Sequence, residues 1–396
     1  MQPCDKIPVL LLTGYLGSGK TTLLNRILSN RKGIRFAVIV NDIGEVNIDA
    51  ELIQKGGVVA QQDDNLVALQ NGCICCSLKM DLVQQLRDLC AANTFDYIVI
   101  EASGICEPAP IAQTIASYTS MVPASSAPVP QLDAVVSVVD ALRLRDEFMV
   151  QLADLSNVSD RSDLSELVIN QIEFCNLILL NKVSEVSEEE RKHIRAIIRA
   201  IQPKAKIIDC DYCDVPFGEI LDTELFDFEE VATSAAWIQG VEGDVEEEHD
   251  HHHEHHHSHH HECDDPHCHC HNHGDEYGIT TFVYYRRKPF DLNRFDEFVA
   301  RHWDKGIIRC KGMCYFEDEY DMCYLFEQAG KQFDLKQAGT FYATMPEEEL
   351  MQLMARDPML QRDWDEQYGD RMQKLVFIGQ NIDRDAITKA LDDCLV

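Results

Sequence analysis

The chain has few basic side chains and no long apolar run, and both absences narrow what it can do. Thirty-five Lys and Arg stand against 68 Asp and Glu, a formal charge of −33 over 396 residues. Phosphate backbones select for lysine and arginine, so this balance excludes nucleic acid as a partner and suits a protein that handles cations. No apolar stretch approaches the roughly 20 residues of a membrane span, so no membrane partner is expected. The N-terminal MQPCDKIPVLLLTGYLG lacks the basic n-region and small-residue cleavage site of a signal peptide. Its short apolar run ends in glycines, as a buried strand does, and a cytoplasmic location is the resulting expectation. There the sixteen cysteines should be thiols, and clustered ones point to metal or redox work before disulfides.

Hydrophobic residues make up 45% of the chain, which fits a globular protein, and the length predicts two domains. One interval breaks the pattern. Glu242 to Glu276 contains no Lys or Arg, and HDHHHEHHHSHHHECDDPHCHCHNH (249–273) holds fourteen of the sixteen histidines. Without hydrophobic periodicity no core is available to offset the entropy of ordering. Residues 236–277 therefore read as a disordered, acidic linker between a domain at 1–235 and a second at 278–396. Its imidazoles, carboxylates and Cys263, Cys268 and Cys270 are zinc-type ligands, which predicts weak, exchangeable, multi-site metal binding.

KIPVLLLTGYLGSGKTTLLNRILSN is a strand, a glycine loop and a helix in succession. Within it, residues 14–21 fit G-x-x-x-x-G-K-[ST]. Polyphosphate must be surrounded by backbone N–H groups, which needs glycines that accept unusual dihedrals and allow close approach. Gly14, Gly17, Ser18 and Gly19 supply that loop, Lys20 the charge for the β/γ-phosphates, and Thr21 a hydroxyl for Mg²⁺. Further apolar runs, RFAVIVND (35–42), NLVALQ (65–70), DYIVIEASG (96–104), DAVVSVVDA (133–141) and NLILLNK (176–182), are interspersed with helical patterns. That arrangement predicts an α/β domain: a mostly parallel sheet, helices on both faces, and ligands at the carboxyl ends of the strands.

Three strand ends carry chemistry. Glu101 closes one strand and can hold Mg²⁺ or its water, while the amide of Gly104 just beyond can sense the γ-phosphate. Asp42 and Glu45 follow the second strand, where a switch loop would face Mg²⁺, the attacking water or a second metal. Asn181 and Lys182 suit a base-binding element, the asparagine bracing the loops and the lysine stem covering the purine. Lys20, Asp42 and Glu101 are the candidate catalytic set, with Thr21, Asp42 and Glu101 on Mg²⁺.

NGCICCSLKMDL (71–82) adds Cys73, Cys75 and Cys76 in the loop between a strand and a helix. Zinc prefers four tetrahedral ligands, so three thiolates leave a position for water, Glu45, a linker histidine or a client residue. A three-ligand site can pass its metal on. Vicinal low-pKa thiols also suit a redox switch, but the histidine tract points independently to metal. Cys90, Cys106, Cys175 and Cys394 are expected to be structural, and Cys310 and Cys314 to pack.

GYLGSGKTT, NGCICC, EASGICEP and NKVS, followed by a histidine-rich linker, resemble the CobW-type metallochaperone GTPases, a P-loop class related to HypB-like and UreG-like GTPases. GIIRCKGMCYF (306–316) resembles the R-x-K-G strand of that family's second domain. The resemblance spans nearly the whole chain. It implies slow, metal- or client-stimulated hydrolysis of GTP to GDP, with Mg²⁺. It also implies delivery of Zn²⁺, or alternatively Co²⁺, Ni²⁺ or Fe²⁺, to a client metalloprotein by a monomer or a nucleotide- or metal-dependent homodimer. Thr22 joins the nucleotide-binding set through the same GYLGSGKTT match. The alternatives are a nucleotide-regulated metal buffer or sensor and an insertase for a metalloenzyme or cofactor. One departure stands out: where guanine-specific relatives carry N-K-x-D, this chain has Asn181-Lys182-Val183-Ser184, which replaces a charged acceptor with a neutral one.

Past Gly278, ITTFVYYRR, IIRCKGMCYF, CYLFEQAG and KLVFIGQ read as strands, and DLNRFDEFVARHW and DRDAITKALDDC as helices. A smaller α+β domain with an antiparallel sheet is expected, with His302 and Trp303 as packing residues.

Overall fold

The computed structural model describes residues 6–29, 33–41, 66–71, 79–121, 128–148, 162–227, 231, 277–330, 332–355, 360–361 and 364–396. Asp42, Glu45, Cys73, Cys75, Cys76 and the expected linker lie outside them, apart from Tyr277 at the linker's last position. Two compact units divide the chain, residues 1–236 with 329–332, and residues 237–328 with 333–396.

The first unit is built on β1 (Lys6–Thr13), β2 (Phe36–Asn41), β3 (Leu66–Asn71), β4 (Tyr97–Glu101), β5 (Val129–Asp140), β6 (Leu177–Asn181) and β7 (Lys206–Asp209). They form one sheet in the order β3-β2-β4-β1-β5-β6-β7, and every pair in it is parallel. Each parallel step needs a crossover. Helices α1 (Lys20–Leu28), α2 (Lys79–Ala92), α3 (Pro108–Met121), α4 (Ala141–Phe148), α5 (Ser162–Glu173) and α6 (Glu188–Ile201) lie between strands in the chain. Crossover helices cover sheet faces, and β4 and β6 are buried at every residue, which is why these strands read as continuous apolar runs.

Helix α6 shows how local chemistry sets an element. Ser187 accepts from the Glu190 N–H at 3.2 Å, and Glu190 accepts from the Ser187 N–H at 2.7 Å, a reciprocal cap. Ile194, Ile197, Ile198 and Ile201 then form its buried stripe. β7 escapes sequence inspection because four residues at a sheet edge give too short a pattern.

Tyr97 ties the sheet to a distant segment. Its hydroxyl donates to the buried Asp133 carboxylate, which also accepts from Thr223 Oγ1 at 3.1 Å and the Glu224 N–H at 2.6 Å. Burial, then the charge of Asp133, pushes the Tyr97 phenol well above its ordinary range. Tyr97→Phe removes one donor from a buried carboxylate. It should cost about 1.5–3 kcal/mol of stability in urea unfolding, with unchanged backbone circular dichroism.

The second unit has β8 (Ile279–Arg286), α7 (Leu292–Glu297), β9 (Ile307–Cys314), β10 (Met322–Ala329), β11 (Gln332–Thr340), α8 (Glu347–Met354), β12 (Gln373–Gln380) and α9 (Arg384–Asp392). Its five-stranded sheet runs β11-β10-β9-β12-β8, with β12 antiparallel to both β8 and β9. Strand β11 gives no sequence signal because it is an edge strand, exposed along almost its whole length. Cys310 and Cys314 are fully buried, and desolvation holds both thiols well above the ordinary cysteine range, so they pack as expected. Trp303 packs as expected against Phe298, Phe326 and Phe377. His302 does not: it is exposed, on the outer side of the turn that ends the helix.

Candidate functional site

The glycine loop connects β1 to α1, and at Gly14 and Gly19 its backbone leaves no room for a side chain. Gly14 has φ 137°, and a Cβ there would sit 2.3 Å from the Val138 carbonyl. Gly19, with φ 119° at the N-cap of α1, would bring a Cβ within 2.5 Å of the Asn181 amide. The loop is closed by the Ser18 N–H donating to the Tyr15 carbonyl at 3.1 Å. Lys20 is buried, and its Nζ donates to the Gly14 carbonyl at 2.7 Å and the Tyr15 carbonyl at 3.3 Å. The lysine thus lies along the rim where phosphate oxygens would enter, at the positive end of a helix. Thr22, in the first turn of α1, is exposed.

Thr21 Oγ1 donates to Glu101 Oε1 at 3.2 Å, joining two positions 80 residues apart. Glu101 is buried at the end of β4, level with Leu12 of β1 and Val40 of β2. A hydroxyl and a carboxylate at the foot of a phosphate loop are hard oxygen donors, the chemistry Mg²⁺ takes. Among the described residues the buried hydroxyls of Thr13, Ser18 and Ser137 beside this loop find no hydrogen-bond partner, as a polar ligand completing the cradle would require. Gly104 lies against the loop itself, since a Cβ there would fall 2.8 Å from the Leu16 backbone nitrogen. Its carbonyl accepts from Gln171 Nε2 at 3.2 Å, which fixes the turn after β4.

Asn181 ends β6, and it braces two loops. Its Nδ2 donates to the Ser18 carbonyl at 2.8 Å, while its Oδ1 accepts from the Cys213 N–H at 3.0 Å. Lys182 follows in the left-handed region, φ 62°, with its ammonium paired to Asp140 at the end of β5. The described site residues therefore converge on one edge of the sheet.

The segment after β7 was not singled out from sequence. Cys210 and Cys213 are buried there, with the Cys213 sulfur 3.4 Å from the Gly19 carbonyl. A hydrogen bond between the two thiols holds Cys210 below the ordinary cysteine range and Cys213 above it. The signal available was the Cys-x-x-Cys spacing in DCDYCD, directly after the KIID stretch. Cys106 corrects the expectation of thiols throughout. It is buried in the turn after β4 and disulfide-bonded.

Asp42, Glu45 and the three loop cysteines lie outside the described residues, directly after strands that lie within them. β2 and β3 pair in parallel with Asn41 opposite Asn71, one step beyond Val40 opposite Glu101. Among the described residues no group of three or more His, Cys, Asp or Glu is arranged to hold a metal ion. No described helix is long and apolar enough to cross a membrane.

Two family models match. Residues 8–209 fit that of the CobW/HypB/UreG nucleotide-binding domain, and residues 279–395 that of the cobalamin synthesis protein CobW C-terminal domain. The chain is 33% identical over 407 aligned residues to the zinc-regulated GTPase metalloprotein activator 1 of Dictyostelium discoideum, covering 99% of this chain and 80% of that one. It is 32% identical to the zinc chaperone CobW of Pseudomonas aeruginosa, covering 56% of this chain and 61% of the relative. With the zinc chaperone YjiA of Escherichia coli it shares 34% identity, over 58% of this chain and 65% of the relative. The Zn(II)-bound YjiA GTPase structure aligns over 99% of each chain at 22% identity, with a TM-score of 0.41.

Proposed function

Starting from the fact that this chain belongs to the CobW/HypB/UreG family of P-loop GTPases, we propose that it hydrolyses GTP to govern a transition-metal cargo, and that the cargo is zinc. The family match and the glycine cradle together support GTP as substrate and Mg²⁺ as cofactor. Thr21 and Glu101 would hold Mg²⁺, which supplies charge neutralisation at the phosphates. The chain's own residues do the rest. Backbone N–H groups of the glycine loop orient the triphosphate, Lys20 stabilises charge developing on it, and the turn at Gly104 responds to its last phosphate.

The observation that carries the coupling is the register of the sheet. β2 and β3 end side by side, with Asn41 opposite Asn71, one step past Glu101. The segment with Asp42 and Glu45 and the segment with Cys73, Cys75 and Cys76 therefore both begin at the nucleotide edge. In this reading, GTP orders the switch segments and brings the three thiolates into a metal-holding arrangement; hydrolysis releases it, and the cargo passes to a client metalloprotein. The histidine-rich stretch at 249–273 collects metal ahead of that site. The zinc assignment follows the thiolate and imidazole donor set and the activities named for the relatives. A buffer that merely stores metal is the other reading, and turnover indifferent to added zinc would favour it.

The test is Cys75→Ser. Zinc affinity, measured by chelator competition in the GTP-bound protein, should fall by on the order of 100-fold or more, while nucleotide affinity stays unchanged. Unaltered zinc affinity would remove Cys75 from the metal site.

A further inference from the structure

We propose that Asp211 is the carboxylate that reads guanine in this protein, held in position by Ser184. The inference rests on the GTPase reading above and names how its base site achieves selectivity. In N-K-x-D proteins the aspartate accepts hydrogen bonds from the ring N–H and the 2-amino group of guanine. Here that position is Ser184, whose hydroxyl can offer only a neutral acceptor.

The structure fills the gap from elsewhere in the chain. Asp211 Oδ1 accepts from the Ser184 hydroxyl at 2.8 Å and from the Ser184 N–H at 3.0 Å. Two donors from one residue fix the carboxylate beside the serine. The serine spends its proton on Asp211, so it positions the carboxylate rather than competing with it. The second carboxylate oxygen, Oδ2, receives no hydrogen bond among the described residues, and Asp211 is half-exposed.

The loop that carries Asp211 belongs to the nucleotide site by two further links. The Cys210 N–H donates to the Leu180 carbonyl at 2.9 Å, and the Val183 N–H donates to the Cys210 carbonyl at 3.3 Å. Asn181 grips the same turn through the Cys213 N–H while holding the phosphate loop through Ser18. Lys182, Tyr212 and Cys213 all have positive φ, at 62°, 53° and 55°. Three non-glycine residues in that region are unfavourable singly and persist where the surrounding structure over-determines them. The outcome is an Asp–Ser pair with its members exchanged between two loops.

The base chemistry then decides the ligand. Guanine presents two adjacent donors, which a carboxylate accepts together; adenine presents a ring acceptor and a C–H at the same edge, which a carboxylate disfavours. Xanthine differs from guanine by an oxygen in place of the 2-amino group, so an amide that can donate suits it better than a carboxylate. Asp211→Asn should therefore lower GDP affinity by on the order of 10- to 100-fold and raise affinity for xanthosine diphosphate. Ser184→Ala should weaken GDP by only a few-fold, since the carboxylate remains.

Competition of GDP, ADP and xanthosine diphosphate against a fluorescent guanine nucleotide, on the full chain, reads all three affinities. A wild-type preference for GDP over ADP, reversed toward xanthine in Asp211→Asn, supports the proposal. An Asp211→Asn protein with wild-type selectivity, or one that loses all three nucleotides equally, overturns it. If Asp211→Asn does not fold, Asp211→Ser serves: it should lose the preference for GDP over ADP, and retained preference overturns the proposal. A wild-type protein that binds no guanine nucleotide would sink the GTPase reading itself, a different result from intact GDP binding insensitive to Asp211.

Discussion

Lys20→Ala will reduce GTP hydrolysis by on the order of 100- to 1000-fold while leaving the fold intact. Phosphoryl transfer asks little covalent chemistry of the protein; the rate comes from positioning and from charge placed where the phosphoryl oxygens gain it. In the function proposed above, Lys20 is that cation. Its stem is buried in the first turn of α1, and its ammonium lies 2.7 Å from the Gly14 carbonyl at the lip of the cradle. Lys182, the cation that follows Asn181, is paired with Asp140 instead, and Arg143 stacks on the Tyr15 ring. GDP binding should suffer less, since backbone N–H groups hold the β-phosphate and the base loops are untouched. Single-turnover hydrolysis with enzyme in excess separates the two effects. A variant with near-normal turnover would mean the loop binds phosphate without catalysing its transfer.

Glu327→Gln will destabilise the second unit by about 3 kcal/mol, lowering its melting temperature by about 10 °C. The side chain of Glu327 on β10 is 11% exposed and paired with Lys311 on β9, itself 14% exposed. Lys336 approaches the other carboxylate oxygen at 3.5 Å. Arg309, 1% exposed, lies within reach of the same charge and donates to the Gln328 carbonyl at 3.4 Å. Burial alone would raise the Glu327 carboxyl, but the charge and hydrogen bond of Lys311, with Arg309 and Lys336 behind, hold it below its ordinary 4.5. Glutamine keeps the shape and removes the anion, so buried cations lose their counter-charge. Because the folded carboxyl binds its proton less readily than the unfolded one, its contribution is complete above about pH 4.5 and declines as pH falls through the lower folded value. Thermal melts of the full chain followed by tryptophan fluorescence, with Trp303 in this core, should show that acid slope in the wild type and not in the variant. Joint replacement, Lys311→Met with Glu327→Leu, should recover most of the loss, because a buried pair exchanged for apolar groups is often neutral. Equal stability of Glu327→Gln and wild type would show that water, not Glu327, neutralises these cations.

The R-x-K-G strand resembling the family's second domain takes on a physical meaning here. Buried Arg309 and half-buried Lys311 are the cations around Glu327, and Gly312 is required because a Cβ there would fall 2.0 Å from the Lys374 carbonyl. Those three positions serve packing in the sheet. His302, read from the sequence as a packing residue, is exposed on the last turn of its helix.

What the sequence determined alone was whatever depends on neighbours in the chain. The strand–glycine loop–helix order, the buried parallel strands and the histidine-rich interval are all contiguous, and period, glycine placement and composition report them directly. Tertiary structure decided the contacts between loops. Thr21 reaches Glu101 across 80 positions, Ser184 meets Asp211 across 27, and the fork of Asn181 spans 163 to Ser18 and 32 to Cys213. A carboxylate one loop away leaves no trace in a local motif, so N-K-V-S reads as a missing acid. Only the sheet, by ending β6 and β7 side by side, returns that acid to the place where a base would be read.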